Sequence, residues 1–320
     1  MAVTDALAAA RGRLGSAETS FECCDTDFLV SASGYRADAA VSRATETARA
    51  LEARLNAFDP ESAVSRLNRT GEVADEHVAH LVRRGLEYEE RTGGVFAIQY
   101  GEVEHDLKAY IRGDRPAPPE TFDAGTVSVD GDHVTASNTL DLNGLAKGYI
   151  VERATDELRG FGRIGFVSGG GDMTPPTGPV EVADPGGGRA LRVLDTDWNV
   201  ATSGNYRRTR DGTDHIYDPR TARVGARQES VTVLAERDCT EADALATTLA
   251  ALDLDGGLGV AIDDGQRNRV VHRPCIDRCP PHSTGGCERI GGSSRPRGPP
   301  MSTPAPHYGR PPTPDMELEC

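Results

Sequence analysis

The chain has 320 residues, enough for one large domain or two modest ones, and its 37% hydrophobic content is low for a globular protein but above that of a wholly disordered one. With 35 basic and 50 acidic residues it carries a net charge of −15, which repels phosphate backbones and argues first against nucleic-acid binding. The basic residues are 33 Arg and 2 Lys (Lys108 and Lys147), a bias that, with the carboxylate excess, predicts adaptation to high salt.

The N-terminus offers only Ala6-Leu7-Ala8-Ala9-Ala10, after Asp5 and without a basic region, too short for a secretory core. Cys23-Cys24 lacks the upstream apolar run of a lipid-attachment site, and no stretch approaches the roughly 18 apolar residues of a membrane span. A cytoplasmic protein with no membrane insertion is expected, its seven Cys reduced and, by their odd number, no complete disulfide framework.

In chain order, residues 1–19 read as a terminal arm or helix. Ala44, Ala48, Leu51, Leu55 and Phe58 step by four and three, predicting a helix that ends near Asp59-Pro60. Val78, Leu81, Val82 and Leu86 predict a second, closed by Gly93-Gly94. Residues 126–136 alternate about Asp130-Gly131 as a hairpin. A helix over 145–160, a strand at 164–167 and a Gly169-Gly170-Gly171 turn follow. Strands are predicted at 179–183, 190–194 and 230–235, and a helix at 241–252. The fold class is α+β, without the regular alternation of a doubly wound sheet, and the domain spans 20–273. From Pro274 to Cys320 lie 11 of the 20 prolines and four of the seven Cys, and residues 265–320 reverse the charge sign; a disordered tail is predicted. Cys275, Cys279 and Cys287 with His272 and His282 match no familiar zinc spacing.

Four segments could carry chemistry. In Leu140–Tyr149 a strand end runs through Asn143-Gly144 into a helix bearing Lys147, a compact cation suited to phosphate. Val167–Asp172 places three glycines after a strand, where a ligand could approach the backbone. Thr202-Ser203-Gly204 offers hydroxyl donors, and His215 lies three residues from Asp218, which could orient an imidazole. Asp243 and Thr247 stand one helical turn apart, a spacing that can supply two hard oxygens to Mg²⁺ but by itself more commonly marks an exposed polar stripe or an Asp favoured by the helix dipole in the first turn.

The order of these segments resembles the ApbE family of FAD:protein FMN transferases. Its DLGGIAKGYAVD, NAGGD, TSGDY, HILDPRTG and ADALATAL segments have counterparts here. They are Asp141–Glu152, Ser168–Asp172, Thr202–Tyr206, His215–Thr221 and Ala242–Leu249, and Ser62–Asn68 matches an upstream SxxSxLN. The resemblance covers about residues 20–273 and implies a single domain with an FAD cleft between two sub-lobes. It further implies Mg²⁺ on Asp243, Thr247 and the carbonyl of Gly144. FAD would be contacted by Ser65, Asn68, Lys147, Ser168, Gly170, Gly171, Asp172, Thr202, Ser203 and Gly204. His215 would act as base, with Asp218 in the catalytic pair. The implied reaction moves FMN from FAD onto a Thr or Ser hydroxyl of an acceptor protein, commonly a subunit of a membrane redox complex, and releases AMP. Water as acceptor would make the same site an FAD pyrophosphatase; a flavin-binding protein without turnover is the third possibility. The chain departs from the pattern at Asn143, Ser168 and Asn205, and Gly101-Glu-Val-Glu-His stands where the family has a GPL-like continuation.

Overall fold

The computed structural model describes residues 15–121, 123–160, 164–184, 187–188, 190, 192–204 and 209–252, with the backbone of 268–274. Strands β1 (Ser16–Cys23) and β2 (Thr26–Ser33) form a hairpin, followed by α1 (Ala37–Leu55), α2 (Ala63–Thr70), β3 (Glu72–Ala74), α3 (Glu76–Arg91) and α4 (Gly101–Arg112). Next come β4 (Val127–Asp130), β5 (His133–Ala136), α5 (Asn143–Gly160), β6 (Ile164–Gly169) and β7 (Asp172–Met173). Short strands β8 (Val180–Val182) and β9 (Arg192–Leu194) precede β10 (Asn199–Gly204). After the pairs β11 (Thr209–Arg210) with β12 (Thr213–Asp214) and β13 (Tyr217–Asp218) with β14 (Arg223–Val224), β15 (Gln228–Ala235), α6 (Cys239–Ala251) and β16 (Asn268–Pro274) complete the described chain.

Seven strands make the main sheet in the order β1-β2-β6-β7-β10-β15-β16, every neighbour antiparallel. Helix α1 packs on α5 and α5 on α6; α1 also lies on β1 and β2, α5 on β6, and α6 on β10 and β15. The fold is thus α+β, helices on an antiparallel sheet. Close packing follows from small residues: α1 buries Ala40, Ala44 and Ala48 beside Leu51 and Leu55, so its backbone approaches α5 closely. Two apolar clusters result. The larger runs from Phe28 and Val30 through α1, α2 and α3 to α5; the smaller gathers Ile216, Val231 and Val233 with Leu245 and Leu249 of α6.

Two sequence expectations are revised. The boundary drawn after residue 19 cuts through β1, since residues 16–19 pair with 30–33 as strand rather than arm or helix. Helix α1 stops at Leu55, so Phe58 lies past its end, 41% exposed, and not on its buried face. Residues 1–14 and the segment from Cys275, including the cysteine spacing considered for zinc, lie outside the described residues. No described helix is long and apolar enough to cross a membrane.

Candidate active site

Helix α6 is the centre of the site, and of its 13 residues every one is buried except Thr247. Burying its acidic first turn requires partners. Asp238 caps the helix by accepting from Glu241 N at 2.7 Å, and Arg84 of α3 grips the same carboxylate through both terminal nitrogens at 2.9 and 3.0 Å. Arg91, two turns along α3, donates to the fully buried Glu241 at 2.8 Å. The two arginines fix the depth and rotation of α6, and so decide where Asp243 and Thr247 point.

Asp243 is 3% exposed, and its Oδ2 accepts from the Gly148 amide of α5 at 2.9 Å. Here the helices nearly touch: a Cβ on Gly148 would lie 2.5 Å from the Cys239 carbonyl oxygen and 2.9 Å from Asp243 Cβ. On the same turn, the Lys147 ammonium pairs with Asp172 of β7 and lies 3.6 Å from Asp243 Oδ1. Burial alone would lower the Lys147 pKa, but Asp172 and Asp243 outweigh it and raise it. Asp172 is pushed well above the usual carboxylate range, first by burial and then by Asp243, against the pull of Lys147. Two buried carboxyl groups therefore face one ammonium, and their mutual repulsion helps raise Asp172.

A bound cation would relieve that repulsion. Asp172 Oδ1 is buried and receives no hydrogen bond. Thr247 Oγ1, 3.4 Å from Ser203 Oγ, faces the cleft one turn after Asp243. A Cβ on Gly144 would meet the Phe96 ring at 2.8 Å and Thr247 Cγ2 at 3.4 Å, so the Gly144 backbone lies against Thr247. A carboxylate, a hydroxyl and a nearby main-chain carbonyl are the hard oxygen donors that Mg²⁺ prefers, and these residues fit it.

The cleft has a volume of about 750 Å³, within the range of small-molecule sites. It runs between the two apolar clusters, with Leu55, Phe96 and Ile150 on one side and Val95 and Ile216 on the other. Of the residues expected to bind or react, Gly144, Lys147, Gly170, Thr202, Ser203, Gly204, His215, Asp243 and Thr247 all line it. His215 stands between β12 and β13, half-buried, and the loop around it is pinned by Asp214. That fully buried carboxylate accepts from Ile216 N at 2.8 Å and from Ala226 N at 2.8 and 2.9 Å.

Other expected residues stand behind the wall. Asp218 gives its carboxylate to Arg220, at 3.0 Å to N and Nη2 and 3.1 Å to Nε, while Asp214 holds the His215 loop. Ser65 donates to the Ala57 carbonyl at 2.8 Å. Asn68 clamps Leu140 in both directions, accepting from its N at 2.9 Å and donating to its O at 3.2 Å. Both brace the cleft instead of lining it. Ser168 lies in β6, paired with Met173 of β7 and Leu29 of β2, and Gly171, at φ +104°, lets its turn pack on Thr202, where a Cβ would lie 3.3 Å from Thr202 Cβ.

Sequence reasoning missed the far end of the cleft. There Lys108 Nζ sits 4.4 Å above the Phe58 ring and 2.9 Å from Glu104, with Arg112 5.4 Å from the same ring. Burial, then Glu104, raise the Asp141 carboxyl to about 6. The Val103, Leu107, Tyr110 spacing could have revealed α4, which carries Lys108 and Arg112.

A sequence model of the ApbE family matches residues 24–269. A Vibrio cholerae FAD:protein FMN transferase is 33% identical over 138 residues, covering 38% of this chain and 41% of that relative, so the chain matches less than half of its length. The crystal structure of the ApbE protein from Thermotoga maritima superposes with a TM-score of 0.65 at 26% identity, over 73% of this chain and 86% of that one. The flavin transferase ApbE from Vibrio cholerae gives 0.60 at 20% identity, over the same shares, a likeness of fold. Because the family match runs unbroken through every segment that walls the cleft, the chain belongs to the ApbE family.

Proposed function

We propose that the cleft binds FAD with Mg²⁺ and transfers FMN to a Thr or Ser hydroxyl of an acceptor protein, releasing AMP. The observation that carries this reading is the meeting of Asp243, Thr247, Gly144, Lys147 and His215 around one cleft in a member of a family that includes an FMN transferase. Asp243, Thr247 and the Gly144 carbonyl would hold the metal, which when bound neutralises pyrophosphate charge that otherwise repels a nucleophile.

This chain's residues do the rest. Lys147, kept charged by its two carboxylates, sets positive charge beside the phosphates. Thr202, Ser203 and the exposed Gly170 turn supply contacts along the diphosphate. Phe58, with Lys108 and Arg112 over its ring, adds an apolar and cationic end to the cleft. His215 accepts the acceptor hydroxyl proton. The hydroxyl oxygen then bonds to the phosphorus on the FMN side, and the bond from that phosphorus to the bridging oxygen breaks, so AMP leaves. Positioning of the in-line oxygens supplies much of the rate.

The test is incubation of the protein with FAD, Mg²⁺ and a Thr-bearing flavin-acceptor subunit, read by intact mass and nucleotide chromatography. An acceptor heavier by one FMN, with AMP formed, is expected. Free FMN plus AMP with an unmodified acceptor, or unchanged FAD, would overturn the proposal.

A further inference from the structure

The tip of the β1–β2 hairpin carries a cluster that the transfer chemistry does not use. Cys23 ends β1 and pairs with Thr26, leaving Cys24-Asp25 as a two-residue turn. Both turn residues are left-handed, at φ +56° and +54°, a conformation that such turns normally give to Asn-Gly. Non-glycine residues held there are strained, a feature that clusters at functional sites. Strand alternation would send the two cysteine side chains to opposite faces. The turn instead brings their sulfurs to 3.9 Å.

That separation has a chemical meaning. A tetrahedral ion bonded to two thiolates at about 2.3 Å holds the sulfurs about 3.8 Å apart. Glu52, projecting from α1, supplies a third donor, and one ligand atom from each of the three residues lies within 4.8 Å of the others. Its carboxylate is held at the turn by the Cys24 amide, which donates to Oε1 at 2.5 Å. Cys23 is 1% exposed, whereas Cys24 and Glu52 are half-buried and line the cleft, so the cluster has both a closed base and a solvent approach.

We propose that Cys23, Cys24 and Glu52 form a three-ligand site for a thiophilic divalent cation of the zinc type, its fourth position open to the cleft. Two sulfurs and one oxygen select zinc or cadmium over magnesium, so the site is chemically distinct from the all-oxygen set at Asp243 and Thr247. Binding would release the thiol protons and tie the hairpin tip to α1. The proposal stands whether or not the cleft transfers FMN.

The test uses the full-length chain with Cys275, Cys279, Cys287 and Cys320 changed to Ser, reduced and freed of metal. Cadmium is titrated in while the ultraviolet thiolate-to-cadmium charge-transfer band is followed, with Zn²⁺ and Mg²⁺ as competitors. Saturation at one equivalent, displacement by Zn²⁺ and indifference to Mg²⁺ are expected. In the same background Cys24→Ser should roughly halve the band and weaken binding. Glu52→Gln should weaken it by about tenfold or more, the scale on which even outer partners of metal sites act. Cys23→Ser removes a buried sulfur, so circular dichroism accompanies each variant and Cys24→Ser, at the half-buried turn, carries the decision. No band in the parent, or a band unchanged by Cys24→Ser, would refute the site; unchanged affinity in Glu52→Gln would refute the three-ligand assignment.

Discussion

Replacing Gly148 with Ala tests whether close helix packing aims the Asp243 carboxylate. The added Cβ would lie 2.5 Å from a backbone oxygen of α6 and 2.9 Å from Asp243 Cβ, and no rotamer change relieves a clash with backbone. Helices α5 and α6 must separate by several tenths of an ångström at the point where the Gly148 amide holds Asp243 Oδ2. Overpacking of this kind costs about 1–3 kcal/mol, and the better helix propensity of Ala returns about 1. The net loss of about 0–2 kcal/mol lowers Tm by no more than about 8 °C in a domain of this size. Activity should suffer far more, because a shift of about 1 Å at a positioning group can cost about 10²-fold in rate. Thermal melts beside the FMN-transfer assay separate the two effects. A Gly148→Ala protein with full activity would refute the claim that this contact sets the Asp243 geometry.

His215→Ala should leave FAD affinity within a few-fold and slow transfer by about 10²–10⁴, the range of a lost general base; equal losses of binding and rate would reduce His215 to pocket support. Arg84→Met leaves the Asp238 cap with Arg237 at 3.4 Å as its remaining ion-pair partner and should destabilise the protein by about 1–3 kcal/mol in denaturant titrations, with an unchanged stability contradicting the docking role. Asp141 has its pKa raised from 3.8 to about 6 by burial and Glu104, so the folded state binds more protons than the unfolded between those values. Its contribution to stability therefore falls as pH rises through that window, and Asp141→Asn should flatten the fall in Tm measured from pH 4 to 6. A steeper fall would contradict the assignment.

How far the sequence discloses the protein depends on the kind of signal each segment carries. The four-and-three spacing of Ala44, Ala48, Leu51 and Leu55 corresponds to the buried face of α1, and the Asp130-Gly131 turn to the β4–β5 hairpin. β1 is harder to read, because only Phe21 and Cys23 on its inner face are buried and its turn is Cys24-Asp25 rather than Asn-Gly. In the cleft, residues whose own atoms face the ligand space were legible as ordered motifs, as for Lys147, His215, Asp243 and Thr247. Residues that act through others were not. Gly148 matters through a missing Cβ, Asp214 through amides at Ile216 and Ala226, and Arg84 through a cap 154 positions away. Conversely, Ser65 and Asn68 sit in a motif yet serve the backbone, since a Ser or Asn in sequence does not disclose which way it faces.

The central claim is that one cleft, with its cation held at Asp243, splits FAD and captures the FMN half on a protein hydroxyl. It is tested most directly by measuring, in a single turnover, AMP released and FMN bound to the acceptor as Mg²⁺ is varied, for the unaltered chain and for Asp243→Asn. That substitution keeps an oxygen to accept from the Gly148 amide and removes the charge. The account predicts equal yields of AMP and bound FMN that rise together with Mg²⁺, and neither product from Asp243→Asn at the same metal concentration. AMP formed without bound flavin, or equal yields from Asp243→Asn, would contradict it.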